Sequence, residues 1–374
     1  MKKYKLLILS IGMLWLISCD NRLEQDLSDA HIGVAVNENV KYEGNILTVK
    51  KGTPVEFLLQ GNPDYITFFS GEIGHQYIYR DRKEYSAEDI VSSELKFSVW
   101  TQYGESIAYE DLFDVLYLAE ERNDETNEIV TPAFPGMSKT DFEADSLLVE
   151  KQTSWKTLVE RAKLPNKPVS AANAYPYTIP IKQYIDKKLT LAIAYNKDKK
   201  EIKKENTETG KPETIVQPTV NFQGMRIETT WKNGRTTTSY ASAFGLTPLN
   251  MKNKTKFKDQ SEYSMPKDLE YGSVTEGVAG MWNLVNIGTG GFTIRGAAKT
   301  FNWKYSWLVS DYLNLLECPE PDKGVWVKEM SQNPDSYTYT YNQVGTYTAT
   351  FLMNNVNYDY ADTKTQEIIV NVIE

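Results

Sequence analysis

Apolar and polar residues alternate with a period of two through most of this chain, and turn residues break the pattern about every ten positions. A period of two sends alternate side chains to opposite faces of a strand, so the pattern predicts a β protein. Residues 45–49, 55–59 and 65–69 read as three successive strands. The turns between them carry Gly52 and Pro54, then Gly61 and Pro63. Residues 96–103 alternate as a half-buried strand should. Residues 111–122 (DLFDVLYLAEER) fit a strand or a short helix, and the β context decides for a strand. Residues 189–196 carry apolar side chains on both parities, the mark of a strand covered on both faces. Residues 222–231 form a further strand, and Asn233-Gly234 is a hairpin turn. Trp303, Tyr305 and Trp307 follow at period two and so share one face. The clearest alternation comes last, over residues 337–341, 346–351 and 366–373.

Two stretches fall outside the pattern. Residues 197–211 (KDKKEIKKENTETGK) offer nothing to a core and predict a solvated, mobile loop. Residues 251–270 are charged and linker-like.

Composition narrows the function classes. The formal charge is −9 and no basic stripe stands out, which argues against nucleic acid as a partner. The chain has 24 tyrosines and 8 tryptophans but only two histidines, His31 and His75. Many aromatics with few titratable bases favour contact over acid–base chemistry. The histidines do not have the spacing of a metal site or a triad, and no nucleophile-elbow, zinc-protease or phosphate-loop motif occurs. The expectation is a protein that is not an enzyme and needs no cofactor, with a structural Ca²⁺ left open.

The first 19 residues change the picture again. Lys2, Lys3 and Lys5 precede an apolar run of about a dozen residues, too short for a membrane span, which ends in Ser18-Cys19. This resembles the signal peptide and lipobox of bacterial lipoproteins, in which cleavage before the cysteine leaves its thiol carrying diacylglycerol. The resemblance implies lipidation at Cys19, a membrane contact through that lipid, and an exported body. With Cys19 lipidated, Cys318 has no intramolecular disulfide partner. Asp20, Glu24 and Asp26 loosely resemble the acidic signal that sends lipoproteins of the Bacteroidetes to the cell surface. The expected location is the outer membrane, facing outward.

The order Gly52-Thr53-Pro54-Val55, then Phe57, a loop, and a strand ending in Ser70-Gly71-Glu72 resembles the start of a PKD or immunoglobulin-like domain. Gly345-Thr346-Tyr347-Thr348 and the closing strand resemble the end of one. These features define either two such domains or one split around a middle domain. The length of the C-terminal region favours two. The expected fold is all-β, and the expected order is a signal peptide (1–19), a tether (20–37), an Ig/PKD-like sandwich (38–90), a galactose-binding-like jelly roll (91–304) and a C-terminal Ig/PKD-like domain (305–374). With residues 63–72, Gly74-His75, Tyr79, Arg80-Asp81-Arg82, Trp155, Arg161, Arg226-Ile227-Glu228 and Trp231, the chain resembles the SusE/SusF-like surface glycan-binding lipoproteins of Bacteroidetes. That resemblance implies non-catalytic capture of a polysaccharide or oligosaccharide beside a SusC/SusD-type transporter, and family association points to a fructan.

Glycan binding needs flat aromatic faces beside hydrogen-bonding side chains. The candidate platform is Trp303, Tyr305 and Trp307, with Arg295 and Asn302 as hydroxyl partners. Trp231, beside the Asn-Gly turn, and Trp326, read as the outward residue of an edge strand, come next. Trp100 and Trp155 are assigned to cores. Two further function classes fit the same features: an adhesive or structural surface protein that binds other proteins through Ig-like modules, and a jelly-roll glycosidase with a carboxylate pair.

Overall fold

A computed structural model describes residues 26–82, 86–252, 271, 278–279, 282–299, 303–316, 319–358 and 360–374. The protein is an all-β sandwich protein, as its alternation predicts. It divides into two compact units, one made of residues up to 84 together with 320–374, the other of residues 85–319.

In the first unit a three-stranded sheet (His31–Val34, Pro54–Gln60, Ser336–Thr340) and a six-stranded sheet share one core. The six-stranded sheet runs in the order Val40–Glu43, Ile46–Lys50, Ala361–Ile373, Gly345–Val356, Tyr65–Phe69, Val325–Lys328. Ala361–Ile373 lies parallel to Ile46–Lys50, and Gly345–Val356 lies antiparallel to Tyr65–Phe69. The N- and C-terminal Ig-like regions are therefore one unit, which corrects the expectation of separate 38–90 and 305–374 domains. The reason is burial. Val55, Phe57, Ile66 and Phe68 are fully covered, and strands from the far end of the chain, with Ala349, Phe351 and Val370, cover them. Tyr347 donates its hydroxyl to the carbonyl of Gln343 (3.0 Å), a tyrosine corner of the kind found in such sandwiches. The tether is also shorter than expected: Leu27, Ala30 and Ile32 already belong to this core.

In the second unit a five-stranded sheet (Lys156–Val159, Phe113–Ala119, Leu189–Tyr195, Ser306–Tyr312, Thr247–Asn250) faces a seven-stranded one. The latter runs Tyr175–Pro180, Ile90–Gln102, Thr219–Trp231, Phe292–Ile294, Trp282–Asn283, Val278–Ala279, with Thr236–Tyr240 also pairing Thr219–Trp231. The main core lies between them, around Phe97, Phe113, Ile193 and Phe222. Residues 111–122 supply strands, as the β context indicates. Leu189–Tyr195 is buried along its whole length, as its double-parity pattern predicts.

The second face of the five-stranded sheet is covered by Phe134 and by the α-helix Phe142–Lys151, with Leu116, Leu118, Ala194 and Trp307 beneath them. This helix was not expected from the alternation. Its signals are local: Asp141 caps it by accepting from Ala144 N (3.0 Å), Glu143 and Asp145 lie in the first turn, and Lys151 lies in the last. The 197–211 stretch is also more ordered than a mobile loop. Lys203–Glu205 pairs with Pro212–Thr214 as an exposed hairpin, and Lys200 and Lys204 are tied to Asp111 and Glu105 at 2.5 Å. The linker-like 253–270 lies outside the described residues.

Candidate functional site

The main core covers one face of the seven-stranded sheet and leaves the other open. Along Ile90–Gln102 the core takes Ser93, Leu95, Phe97, Val99 and Thr101, so Lys96, Ser98, Trp100 and Gln102 share the open face. Register places Asn221 opposite Trp100, Thr293 opposite Asn221, and Asn283 opposite Thr293. One row, Trp100–Asn221–Thr293–Asn283, thus crosses four strands. Beside it run Gln102 and Thr219, also opposite each other, with Arg295 two residues beyond Thr293.

These residues line a groove of about 510 Å³ and an adjoining hollow of about 250 Å³ that share Asn221, Asn283 and Thr293. Trp100 flanks the hollow, and Tyr103 and Arg295 flank the groove. Tyr103 is exposed and left-handed (φ 63°), a conformation that costs a non-glycine residue about 1–3 kcal/mol and gathers at binding sites. Its carbonyl is held by the hydroxyl of buried Tyr109, whose own pKa is pushed up to about 12 by burial. The groove wall is set by Gly296, where a Cβ would meet the Gln217 carbonyl oxygen at 1.8 Å.

Polar groups in the row are only partly satisfied. Asn221 is 7% exposed. Its Oδ1 accepts from Thr293 Oγ1 (2.8 Å), whereas its Nδ2 has no partner among the described residues. The indole Nε1 of half-buried Trp100 is likewise buried and without a partner. A buried polar group left unpaired costs about 1–3 kcal/mol, so two in one site call for an account.

Further along the open face the character changes. Glu94 and Glu228 stand opposite each other, both paired with Lys96, and Arg226 Nε meets Glu228 Oε1 at 2.7 Å. These bonds hold the Lys96 ammonium above its usual pKa and the Glu228 carboxyl below the usual carboxylate range. The four charges satisfy one another.

The three rings expected to form one platform do not share an exposed strand face. Trp303, Tyr305 and Trp307 are all buried. The strand starts only at Ser306. Tyr305 and Trp307 lie in the layer beneath the helix, and Trp303 packs with Ala108 and Ile215, donating its indole N–H to the Ile215 carbonyl (2.8 Å). Trp231 is buried too, its Nε1 donating to Thr237 Oγ1 at 3.0 Å. Trp303 and Tyr305 nevertheless line a hollow of about 360 Å³ with Lys199, Lys200 and Lys252, and Lys199 Nζ lies 5.1 Å from the Tyr305 ring centroid. Trp155 packs against Phe134 and Trp307, as a core residue should. Trp326 is 65% exposed on the edge strand Val325–Lys328, as read from the sequence, with its ring edge-on to Tyr65. Arg295 is exposed and lines the groove. Asn302 and Cys19 lie outside the described residues.

Trp100, Tyr103, Asn221, Asn283 and Thr293 were missed. For Trp100 the signal was present: it shares parity with Lys96, Ser98 and Gln102, not with Phe97 and Val99. Among the described residues no three His, Cys, Asp or Glu converge as a metal site. No helix among them is long and apolar enough to cross a membrane.

Neither the curated proteins nor the solved structures offer a match to this chain. One family model does match, over residues 34–243, and takes in Trp100, Tyr103 and Asn221 while stopping short of Asn283, Thr293 and Arg295. With more than half of its 374 residues matched, the chain belongs to the family described as a domain of unknown function, DUF5017.

Proposed function

We propose that this protein is a non-catalytic carbohydrate-binding protein and that its site is the groove on the open face of the seven-stranded sheet. The observation that carries the reading is the row Trp100–Asn221–Thr293–Asn283: an aromatic ring beside hydrogen-bonding side chains that line one groove and its adjoining hollow. A sugar ring stacks its C–H face on an aromatic, and its oxygens accept from donors at the ring's edge. Tyr103 and Arg295 at the mouth extend the same chemistry. The lipobox at Cys19 and the acidic residues after it support display on the outer membrane, where such a site would hold polysaccharide beside a SusC/SusD-type transporter.

Affinity electrophoresis through gels carrying a panel of polysaccharides tests the reading. Retardation by a glycan, lost in Trp100→Ala and in Asn221→Ala but kept in Trp326→Ala, is the expected result. Loss in Trp326→Ala alone would move the platform to the edge strand of the first unit. No retardation by any glycan, with native circular dichroism, would overturn the reading and favour a protein partner.

A further inference from the structure

Resting on that reading, we infer that the ligand is a straight, extended glycan of the β-1,4-linked kind, laid across the strands with about one sugar on each strand of the row. Three observations carry this. The first is the spacing of the row. Trp100, Asn221, Thr293 and Asn283 stand in register on Ile90–Gln102, Thr219–Trp231, Phe292–Ile294 and Trp282–Asn283. Neighbouring strands lie about 4.8 Å apart, so the row is about 14 Å long. Sheet twist turns the strands about the row and leaves the row itself straight. A β-1,4-linked pyranose chain advances by close to one strand spacing per sugar, so each sugar meets one side chain of the row.

The second is the direction of the cavities. The groove touches Gln102, Thr219, Thr293 and Asn283, and the hollow touches Trp100, Gln223, Thr293 and Asn283, so each reaches from the first of these strands to the last. A ligand that fills either one crosses the strands. Both cavities hold Asn221, Thr293 and Asn283, which places the row along the middle of the site.

The third is the chemistry of the row. Trp100 brings an aromatic ring to one end. Asn221 lies in the floor, 7% exposed, and acts as a positioning residue: its Oδ1 accepts the Thr293 hydroxyl proton (2.8 Å). The lone pairs of Thr293 Oγ1 are then left to accept from a sugar hydroxyl. Asn283 Oδ1 accepts from Val285 N (3.1 Å), and its amide N–H groups, which have no partner among the described residues, are left to donate. Sugar hydroxyls both donate and accept, so successive sugars of one chain find an acceptor and then a donor. A chain that curves, as an α-1,4-linked glucan does, soon leaves this line. So does one linked through an exocyclic carbon, as is the fructan to which family association points.

The test uses the full chain in detergent, titrated calorimetrically with β-1,4-linked gluco-, xylo- and manno-oligosaccharides from the monosaccharide to the hexasaccharide. Maltohexaose and inulin serve as probes that do not run straight. The expected result is that at least one β-1,4-linked series binds, with affinity rising by about tenfold or more from the monosaccharide to the tetrasaccharide and changing little beyond it. Maltohexaose and inulin should bind more weakly. Thr293→Val, which keeps the shape and removes the hydroxyl, should weaken the tetrasaccharide by about fivefold with circular dichroism unchanged. Asn283→Ala, at the end of the row, should make affinity level off at the trisaccharide. Three results would overturn this inference and leave carbohydrate binding standing: equal affinity for monosaccharide and hexasaccharide, maltohexaose or inulin binding at least as tightly as every β-1,4-linked hexasaccharide, or a length dependence that both variants leave unchanged. Retardation by a glycan of the electrophoresis panel with none of the three series bound would do the same. Binding to none of the probes, with retardation by no glycan of the panel, would overturn both.

Discussion

At the scale of the residue, Arg161 ties three aspartates together. Asp114 is buried on Phe113–Ala119, and Arg161 grips it through Nε (2.5 Å) and Nη2 (2.7 Å). The same guanidinium reaches Asp111 (2.7 Å) and Asp198 (3.1 Å). Hydrogen bonding to Asp114 holds the Arg161 pKa above its already high value. Removing one partner of such a pair leaves a charge in a low-dielectric site, at a cost larger than the pair's own net worth. Arg161→Ala should therefore destabilise the protein by about 3–5 kcal/mol, read as a lower urea midpoint. Arg161→Lys should recover part of that loss, since a lysine keeps the charge but not the fork. A fall below about 1 kcal/mol would show that Asp114 finds another partner once the guanidinium is gone.

At the scale of the element, Thr219–Trp231 makes the site possible. Its first half sends Val220 and Phe222 to the core and Asn221 and Gln223 outward. Its register then breaks between Gln223 and Arg226, and from Met225 on the odd positions turn inward. A bulge of one residue exchanges the two faces of a strand. The core therefore takes Met225, Ile227 and Trp231, while the open face passes from amides to the Arg226–Glu228 charge cluster. Gly224 occupies the bulge at φ 61°. Gly290 packs against it at φ 77°, where a Cβ would lie 2.3 Å from Met225 N. Gly290→Ala should cost more than about 2 kcal/mol and weaken glycan retardation as well, because Gly224 and Gly291 line the hollow. Thermal melting and the electrophoresis assay read the two effects. A variant that melts like the wild type would mean that the bulge does not depend on this contact.

At the scale of the whole molecule, the many tyrosines set an alkaline limit. Burial pushes Tyr109, Tyr177 and Tyr184 in one unit and Tyr339 in the other up to about 12, and drives Tyr341 upward as well. A raised tyrosine pKa means that the unfolded chain loses these protons first. Stability is then level below the ordinary value of 10.0 and falls between there and about 12. The denaturant midpoint should drop over that window, and phenolate absorbance should rise together with loss of fold. Phenolate appearing in full near pH 10 with the fold intact would show the rings to be accessible.

Read alone, the sequence determined the kind of element: strands by alternation, turns by glycine and proline, the doubly covered strand by its unbroken apolar run, and the exposure of Trp326 by its place beside Val325 and Val327. These are local properties, written within a few residues. Which strands pair was not local. Ile46–Lys50 meets Ala361–Ile373 across some three hundred residues because the first unit's core could not be closed by its own segment. Nor was the fate of a face. A period of two sorts side chains into two sets without saying which set is covered. The parity that made Trp303, Tyr305 and Trp307 look like a platform put Tyr305 and Trp307 under a helix, and the parity that set Trp100 beside Ser98 and Gln102 left it on the open side. Burial is a relation between elements far apart in the chain, so only the tertiary structure decided that Trp100, Asn221 and Arg295 line one groove and its adjoining hollow.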